Sequence, residues 1–180
     1  MMNDLVLPIA DRESRVRDDH HDALRLWLRL LTCTMLIEGR IRSRLREGFE
    51  TTLPRFDLMA QLERHPEGLR MGELSRRMMV TGGNVTGITA ALVAEGLVER
   101  RAIPGDRRAH AVRLTAAGKR AFDAMAVEHE HWVQEILGGI GATDRDRLHS
   151  LLGRLKTTLA ARESLAHASG RRRVRRDRRA

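Results

Sequence analysis

The chain has 180 residues, which suits one domain with an extension, and 42% of them are hydrophobic, which is enough for a globular core. Its single cysteine, Cys33, excludes an internal disulfide and a multi-cysteine zinc site, and no apolar run reaches the roughly 18 residues that a membrane-spanning helix needs. The net charge of +9 is concentrated in Gly170–Ala180, where seven arginines and one aspartate leave the rest of the chain mildly basic.

Residues 1–20 lack hydrophobic periodicity and are predicted to form a flexible N-terminal lead. They have neither the basic start nor the long apolar run of a signal peptide, so a cytoplasmic protein is expected. From His21 to Phe49, apolar residues recur at helical spacing and predict a long first helix. Its apolar surface covers more than half of the circumference, which is typical of helices with neighbours on two sides. One of these neighbours can be a second subunit.

Residues 51–115 predict three short helices followed by two strands. Pro54 fits the first turn of one helix, and "MGELSRRMM" forms the next. Thr81 is the predicted N-cap of a third helix, which runs to about Glu95 and is closed by Gly96. The period then changes to two in "LVERR" and "HAVRLT", which are joined by "AIPGDRRA" and its Pro-Gly turn. This segment therefore predicts a small β-hairpin after a cluster of helices.

Two further helices are predicted beyond the hairpin. Thr115 caps a long helix to Leu137, and a glycine-rich break separates it from a last helix through Leu159. Residues 164–180 are predicted to be a disordered, Arg-rich tail, because their charge is too dense for a folded segment. The expected fold class is mainly α with a small β-hairpin.

The stretch "TGGNVTGIT", residues 81–89, has the glycine spacing of a phosphate-binding loop, G-x-x-x-x-G-K-[ST]. Such a loop needs a preceding strand and a lysine, whereas the preceding residues read as helix and Ile88 occupies the lysine position. Neither a nucleotide nor another cofactor is therefore expected. Two short helices joined by a tight turn, with an Arg-bearing hairpin after them, instead predict a winged helix-turn-helix over residues 51–115.

The second helix of this motif is predicted to have two unlike faces. One is a buried stripe of three apolar residues, Val85, Ile88 and Leu92. The opposite face carries small side chains, at Gly83, Thr86, Gly87 and Ala90. A glycine inside a helix costs about 1 kcal/mol relative to alanine, so another requirement should favour Gly87.

We assign direct base reading to Asn84, which can pair bidentately with adenine, and to Thr86, which offers a hydroxyl and a methyl group. Thr81, Gly83 and Gly87 are assigned to the DNA backbone, because N–H groups at a helix start bind phosphate and small residues permit close approach. The alternative is that Gly82 and Gly83 serve only a tight turn.

The predicted tip of the hairpin carries three charged residues. Arg107 and Arg108 can place guanidinium groups in a narrow minor groove, and Asp106 is assigned to orienting Arg108. The alternative is an exposed charge cluster on a loop.

The stretch from "LPRFDLMAQLERHPEG" through "NVTGITAALVAEGLVERR" to "GDRRAHAVRLTAAGK" resembles the MarR family of transcriptional regulators, over about residues 22–163. The resemblance implies a homodimer on a palindromic operator, with residues 21–50 and 116–163 as the helical dimerisation region. It carries Asn84 and Thr86 over as groove-reading positions and Arg108, steadied by Asp106, as the wing arginine.

The resemblance also implies an effector, and the first part of the matching stretch resembles the branch controlling aromatic-acid catabolism, whose ligands include hydroxycinnamates or their coenzyme A thioesters. The family's pocket would be lined by Trp27, Thr34, and Arg44 or Arg55. The alternative, which is the stronger one for Trp27, is that Trp27 is core and the arginines are surface charge. Cys33 lies in the apolar stripe and is read as a packed thiol rather than a redox sensor. The pairs His20–His21 and His129–His131 have the wrong spacing for a shared metal on one helix face, so we expect solvated histidines and no metal.

The sequence thus predicts a dimeric, ligand-responsive repressor of transcription. The alternative is a general nucleic-acid-binding protein that acts through its basic tail. An enzyme is not expected, because no nucleophile–base pair or metal cluster is evident.

Overall fold

The computed structural model describes the backbone of residues 21–103 and 106–177, and the side chains of residues 21–102 and 110–161. The chain is mainly helical with one small antiparallel sheet, which confirms the expected fold class. Its helices are α1 (Asp22–Phe49), α2 (Leu53–Glu63), α3 (Met71–Met78), α4 (Gly82–Ala94), α5 (Ala116–Leu137) and α6 (Ala142–Asp177). The strands are β1 (Leu69–Arg70), β2 (Val98–Ile103) and β3 (Asp106–Leu114). In the described part of the chain, no helix is long and apolar enough to cross a membrane.

The chain divides into two compact units, Met1–Val133 and Gln134–Ala180. The described part of the first unit contains α1 to α4, the sheet and most of α5. Its core is assembled from every one of these elements, with the largest fully buried apolar side chains at Leu45, Leu58, Met59, Leu62, Leu74, Val85, Leu92, Val98 and Val112. The second unit contains the end of α5 and the whole of α6.

Turn and cap chemistry sets the helix boundaries in the first unit. α1 ends at Glu50, which adopts a left-handed conformation (φ 49°) and donates its N–H to the Arg46 carbonyl at 3.1 Å. Gly96, also at positive φ, closes α4, as predicted. Thr115 accepts the Gly118 N–H at 3.0 Å through its side-chain oxygen, which confirms it as the cap of α5.

The predicted hairpin is part of a three-stranded sheet, in the order β1-β3-β2. β1 pairs antiparallel with β3, with Leu69 opposite Val112 and Arg70 opposite Ala111. Two residues are too short for a periodic signal, which is why the sequence did not predict β1. Gly68 permits the close approach of this segment to β3. It has φ +92°, and a Cβ there would lie 2.8 Å from the Val112 carbonyl oxygen.

The wing differs from its prediction. Asp106, Arg107 and Arg108 were expected in a loop at the tip, but their backbone belongs to β3. The strand register jumps from Ala102 opposite His110 to Ile103 opposite Asp106, so the additional β3 residues fall within this irregularity. Such irregularities break the alternating pattern from which strand ends are predicted, and both strands are therefore longer than expected.

The end of the chain also differs from its prediction. α6 continues to Asp177, so the disordered tail predicted from residue 164 is wrong for residues 164–177. This segment lacks proline and contains five arginines and two alanines, and both residue types are strong helix formers. The flexible lead predicted at residues 1–20 lies outside the described residues, as do residues 178–180.

Candidate nucleic-acid interface and effector cleft

The turn between α3 and α4 is three residues long and is held by hydrogen bonds. Met79 adopts a left-handed conformation (φ 54°), and the Val80 N–H donates to the Ser75 carbonyl at 3.3 Å. The Ser75 hydroxyl returns a bond to the Val80 carbonyl at 2.7 Å. Thr81 then occupies the N-cap position of α4 in an extended conformation, so the predicted helix-turn-helix is confirmed in the fold.

The buried face of α4 differs in one position from the prediction. Val85 and Leu92 are fully buried, but Ile88 is only half-buried. Thr89 is fully buried instead, and its hydroxyl has no hydrogen-bond partner among the described residues. Positions 85, 89 and 92 follow the i, i+4, i+7 spacing of one helix face, so this spacing could have predicted that Thr89 is buried. The prediction chose Ile88 because isoleucine is more hydrophobic than threonine.

The opposite face of α4 is open. Thr81, Gly83, Asn84, Thr86 and Gly87 are all exposed. A Cβ at Gly82, Gly83 or Gly87 would have no neighbour within 4 Å, and none of the three has a positive φ. Neither packing nor backbone conformation within this chain therefore requires glycine here.

Two threonines at the start of α4 have different hydrogen bonding. The Thr86 hydroxyl donates to the Gly82 carbonyl at 2.9 Å, so its remaining lone pairs and its methyl group face outward. The Thr81 side chain makes no capping bond, although its position as N-cap was predicted correctly. The N–H groups of the first turn are consequently not capped by this side chain and can bind an anion.

Arginines lie on α3 and β2, the two elements of this sequence that contact α4 and flank it in the chain. Arg76 and Arg77 lie in the last turn of α3, immediately before the turn to α4, and Arg77 is held by Glu73 at 2.7 Å. Sequence reasoning missed both, although "SRR" so close to a helix-turn-helix is a signal for phosphate contacts. Arg100 and Arg101 are exposed on β2. The side chains of Asp106, Arg107 and Arg108 lie outside the described part of the structure, so their assigned roles stay predictions.

A cleft of about 430 Å³ lies beside the far end of α4. Apolar side chains of α1, α2 and α5 line it, including Phe49, Met59 and Met125. Its polar wall contains Arg55, Thr51 and two carboxylates, which belong to Glu50 and Glu95. The Arg55 guanidinium forms an ion pair with Glu95 through Nη2, while its Nε is buried without a hydrogen-bond partner among the described residues. The cleft thus combines apolar side chains with a polar wall in which Arg55 and Glu95 are paired.

The four residues predicted to bind an effector are not brought together within one chain. Arg55 lines the cleft, but Trp27, Thr34 and Arg44 do not. Trp27 and Arg44 are 17 residues apart on α1, which is about 25 Å along a helix. Trp27 is 57% exposed, and the Thr34 hydroxyl donates to the Leu30 carbonyl at 2.9 Å. An aromatic acid is too small to contact this whole set in a single chain.

Two further expectations need correction. Cys33 is exposed within the single chain, so the prediction of a packed thiol is wrong for the single chain. The reason is that other elements of the same chain do not cover the apolar stripe around it. His129 is not simply solvated, since its ring lies 4.8 Å from Phe56 and 6.5 Å from Trp132. Burial lowers the pKa of His129 below its ordinary value, because desolvation disfavours the imidazolium. Among the described residues, no group of three His, Cys, Asp or Glu side chains could hold a metal ion.

Two helices joined by a tight turn, an open second helix and a three-stranded sheet whose hairpin follows that helix define a winged helix-turn-helix DNA-binding protein. Residues 49–109 match the model of the MarR family. A MarR family transcriptional regulator from Silicibacter pomeroyi is 31% identical, with a TM-score of 0.66 over 79% of this chain and 99% of that one. The chain belongs to the MarR family and is a DNA-binding transcriptional regulator.

Two more distant structures, both from Streptomyces coelicolor, share the fold. Sco3205, a MarR family regulator in complex with DNA, is 20% identical, with a TM-score of 0.67 over 78% of this chain and 89% of that one. The PcaV regulator, in complex with its natural ligand, is 22% identical, with a TM-score of 0.59 over 78% of this chain and 96% of that one.

Proposed function

We propose that the protein is a homodimeric repressor that binds a palindromic operator and is released by a small aromatic acid. The observation that carries the proposal is the open face of α4, where three glycines have no structural role within the chain. In this proposal Asn84 and Thr86 read bases in the major groove, while Thr81, Gly83 and Gly87 allow the helix start to approach the DNA backbone. Arg107 and Arg108 contact the minor groove, with Asp106 orienting Arg108.

Exposed apolar stripes support the dimer. On α1, large apolar side chains are exposed at Leu24, Leu26, Trp27, Met35 and Leu36. On α6, five leucines are exposed, at Leu148, Leu151, Leu152, Leu155 and Leu159. Exposed apolar side chains in such numbers are typical of protein–protein contact surfaces, and a dimer would cover them.

The first experiment is binding of the full chain to the DNA upstream of its own gene, against a scrambled duplex, across a salt series. Preference for the native fragment should survive as salt rises, with two subunits per site, because base contacts depend less on counterion release than phosphate contacts. Deleting residues 170–180 should keep this preference. If the deletion abolishes most of the affinity on both duplexes, the alternative of a general binder acting through its basic tail is favoured.

Thr86→Ala should reduce discrimination between operator and mismatched operators by about 1 kcal/mol per half-site, with little change in stability. Thr157→Ala is a matched control, because the Thr157 hydroxyl also bonds to the carbonyl four residues earlier, Gly153, at 3.1 Å on an exposed helix. Competition binding with single-base variants of the operator measures this discrimination for both protein variants. Equal discrimination by the two variants would remove Thr86 from the base-reading set.

Arg108→Ala should weaken operator binding by about 1–3 kcal/mol, because it removes a cation from the minor groove. The loss should be larger on operators with A·T-rich flanks, where the groove is narrow. Arg64→Ala, at an exposed position after α2, should leave affinity unchanged. Fluorescence anisotropy on both operator types tests this, and equal affinities for both variants would contradict the wing assignment.

The cleft supports an aromatic acid as effector. Its apolar walls suit a ring, Arg55 suits a carboxylate, and pockets of about 300–1,000 Å³ commonly hold ligands of this size. Glu50 and Glu95 in the wall disfavour the phosphate groups of a coenzyme A thioester, so we favour the free acid of the two proposed classes. Calorimetry with 4-hydroxycinnamate and its thioester should show binding of the acid with lowered operator affinity. Absence of binding by either compound would contradict an aromatic-acid effector.

A further inference from the structure

The Arg55–Glu95 ion pair connects the cleft to the recognition helix. Arg55 lies in the first turn of α2, and Glu95 is the C-cap of α4. Forty residues separate the two, so the contact exists only in the folded chain. The Arg55 side chain is 22% exposed and that of Glu95 is 46% exposed, so a molecule in the cleft can reach both.

The Arg55 guanidinium is the cation that an anion in the cleft would meet. Its Nη2 group is paired with the Glu95 carboxylate, which also lines the cleft. A carboxylate that enters the cleft brings a second negative charge next to Glu95 and competes with it for this one cation. An anion that binds Arg55 therefore weakens the contact between Arg55 and Glu95.

We propose that an anionic effector displaces Glu95 from Arg55 and thereby releases the C-terminal end of α4. The inference rests on the proposed function and specifies how the same cleft would regulate DNA binding. α4 has 13 residues and is therefore about 20 Å long, with its C-cap at the cleft and its open first turns at the opposite end. A displacement at Glu95 is carried along this rigid helix to Asn84 and Thr86. DNA must in turn weaken effector binding by the same factor.

Glu95→Gln in the full-length chain tests the proposal without any ligand. The amide keeps the shape of Glu95 but loses the charge that holds Arg55. Operator affinity should fall about five- to tenfold, within the usual range of allosteric coupling. Glu63→Gln is the matched control, because Glu63 also joins α2 to another element, through Lys119 Nζ at 3.7 Å, and does not line the cleft. Thermal melts of both variants establish that they are folded.

Benzoate and 4-hydroxycinnamate then serve as probes. They should lower operator affinity of the wild type and of Glu63→Gln, but have little further effect on Glu95→Gln, in which the pair is already broken. Arg55→Lys, whose ammonium lacks the planar pair of donors that suits a carboxylate, should bind the probes at least about tenfold more weakly.

The outcomes separate this proposal from the proposed function. Unchanged operator affinity of Glu95→Gln overturns it, as does a full probe effect in that variant or wild-type probe binding by Arg55→Lys. If the wild type binds neither probe, the aromatic-acid effector is contradicted. A loss of operator affinity in Glu95→Gln alone would then still support Arg55–Glu95 as the contact that positions α4.

Discussion

Gly118→Ala is expected to lower the free energy of unfolding by about 3 kcal/mol, at the upper end of what overpacking costs. A Cβ at this position would lie 1.8 Å from the Leu97 carbonyl oxygen and 2.8 Å from its carbon. The backbone of α5 or of Leu97 must move to relieve this clash, and hydrogen bonds between the start of α5 and residues 96–97 hold both segments in place. The Leu97 carbonyl accepts the Thr115 N–H at 3.0 Å, and the Thr115 hydroxyl donates to the Gly96 carbonyl at 2.7 Å.

Urea unfolding of the variant beside the wild type measures this loss. Gly153→Ala is the control, because a Cβ there meets nothing within 4 Å and the position lies on the side of α6 away from the exposed leucines. That change should stabilise the chain by up to about 1 kcal/mol through helix propensity. A loss below about 1 kcal/mol for Gly118→Ala would show that α5 can shift away from Leu97 at little cost.

Gly87→Ala is expected to move stability and DNA affinity in opposite directions. Its Cβ meets nothing within 4 Å in the free protein, so replacing a mid-helix glycine should raise the free energy of unfolding by about 1 kcal/mol. In the complex the same methyl group would occupy space that the DNA is proposed to fill. We expect operator affinity to fall by about 1–3 kcal/mol, and Gly87→Leu to lower it further at similar stability.

The pair of measurements is urea unfolding and operator binding on the same preparations. Gly153→Ala, with equal helix propensity gain and no proposed DNA contact, should bind the operator as the wild type does. Unchanged operator affinity in both Gly87 variants would place this face of α4 away from the DNA.

The sequence by itself determined the features that depend on neighbours a few residues apart. Thr115 and Gly96 mark helix ends through bonds to adjacent turns, and the three-residue turn before α4 follows from the same local chemistry. Helical and strand periodicity located α1 to α5 and the wing. The open face of α4 was predictable because small and apolar residues alternate there with the period of a helix.

The tertiary structure decided what depends on contacts between distant segments. Thr89 rather than Ile88 is buried because of what packs against α4, and β1 exists only because β3 offers it an edge. Trp27 and Arg44 were assigned to one pocket because of their side-chain chemistry, but the length of α1 separates them. Arg55 and Glu95 are 40 residues apart and show no relation in the sequence. Local hydrogen bonds and periodicity are encoded within a few residues, whereas burial, register and ion pairing across the fold are fixed only when the whole core assembles.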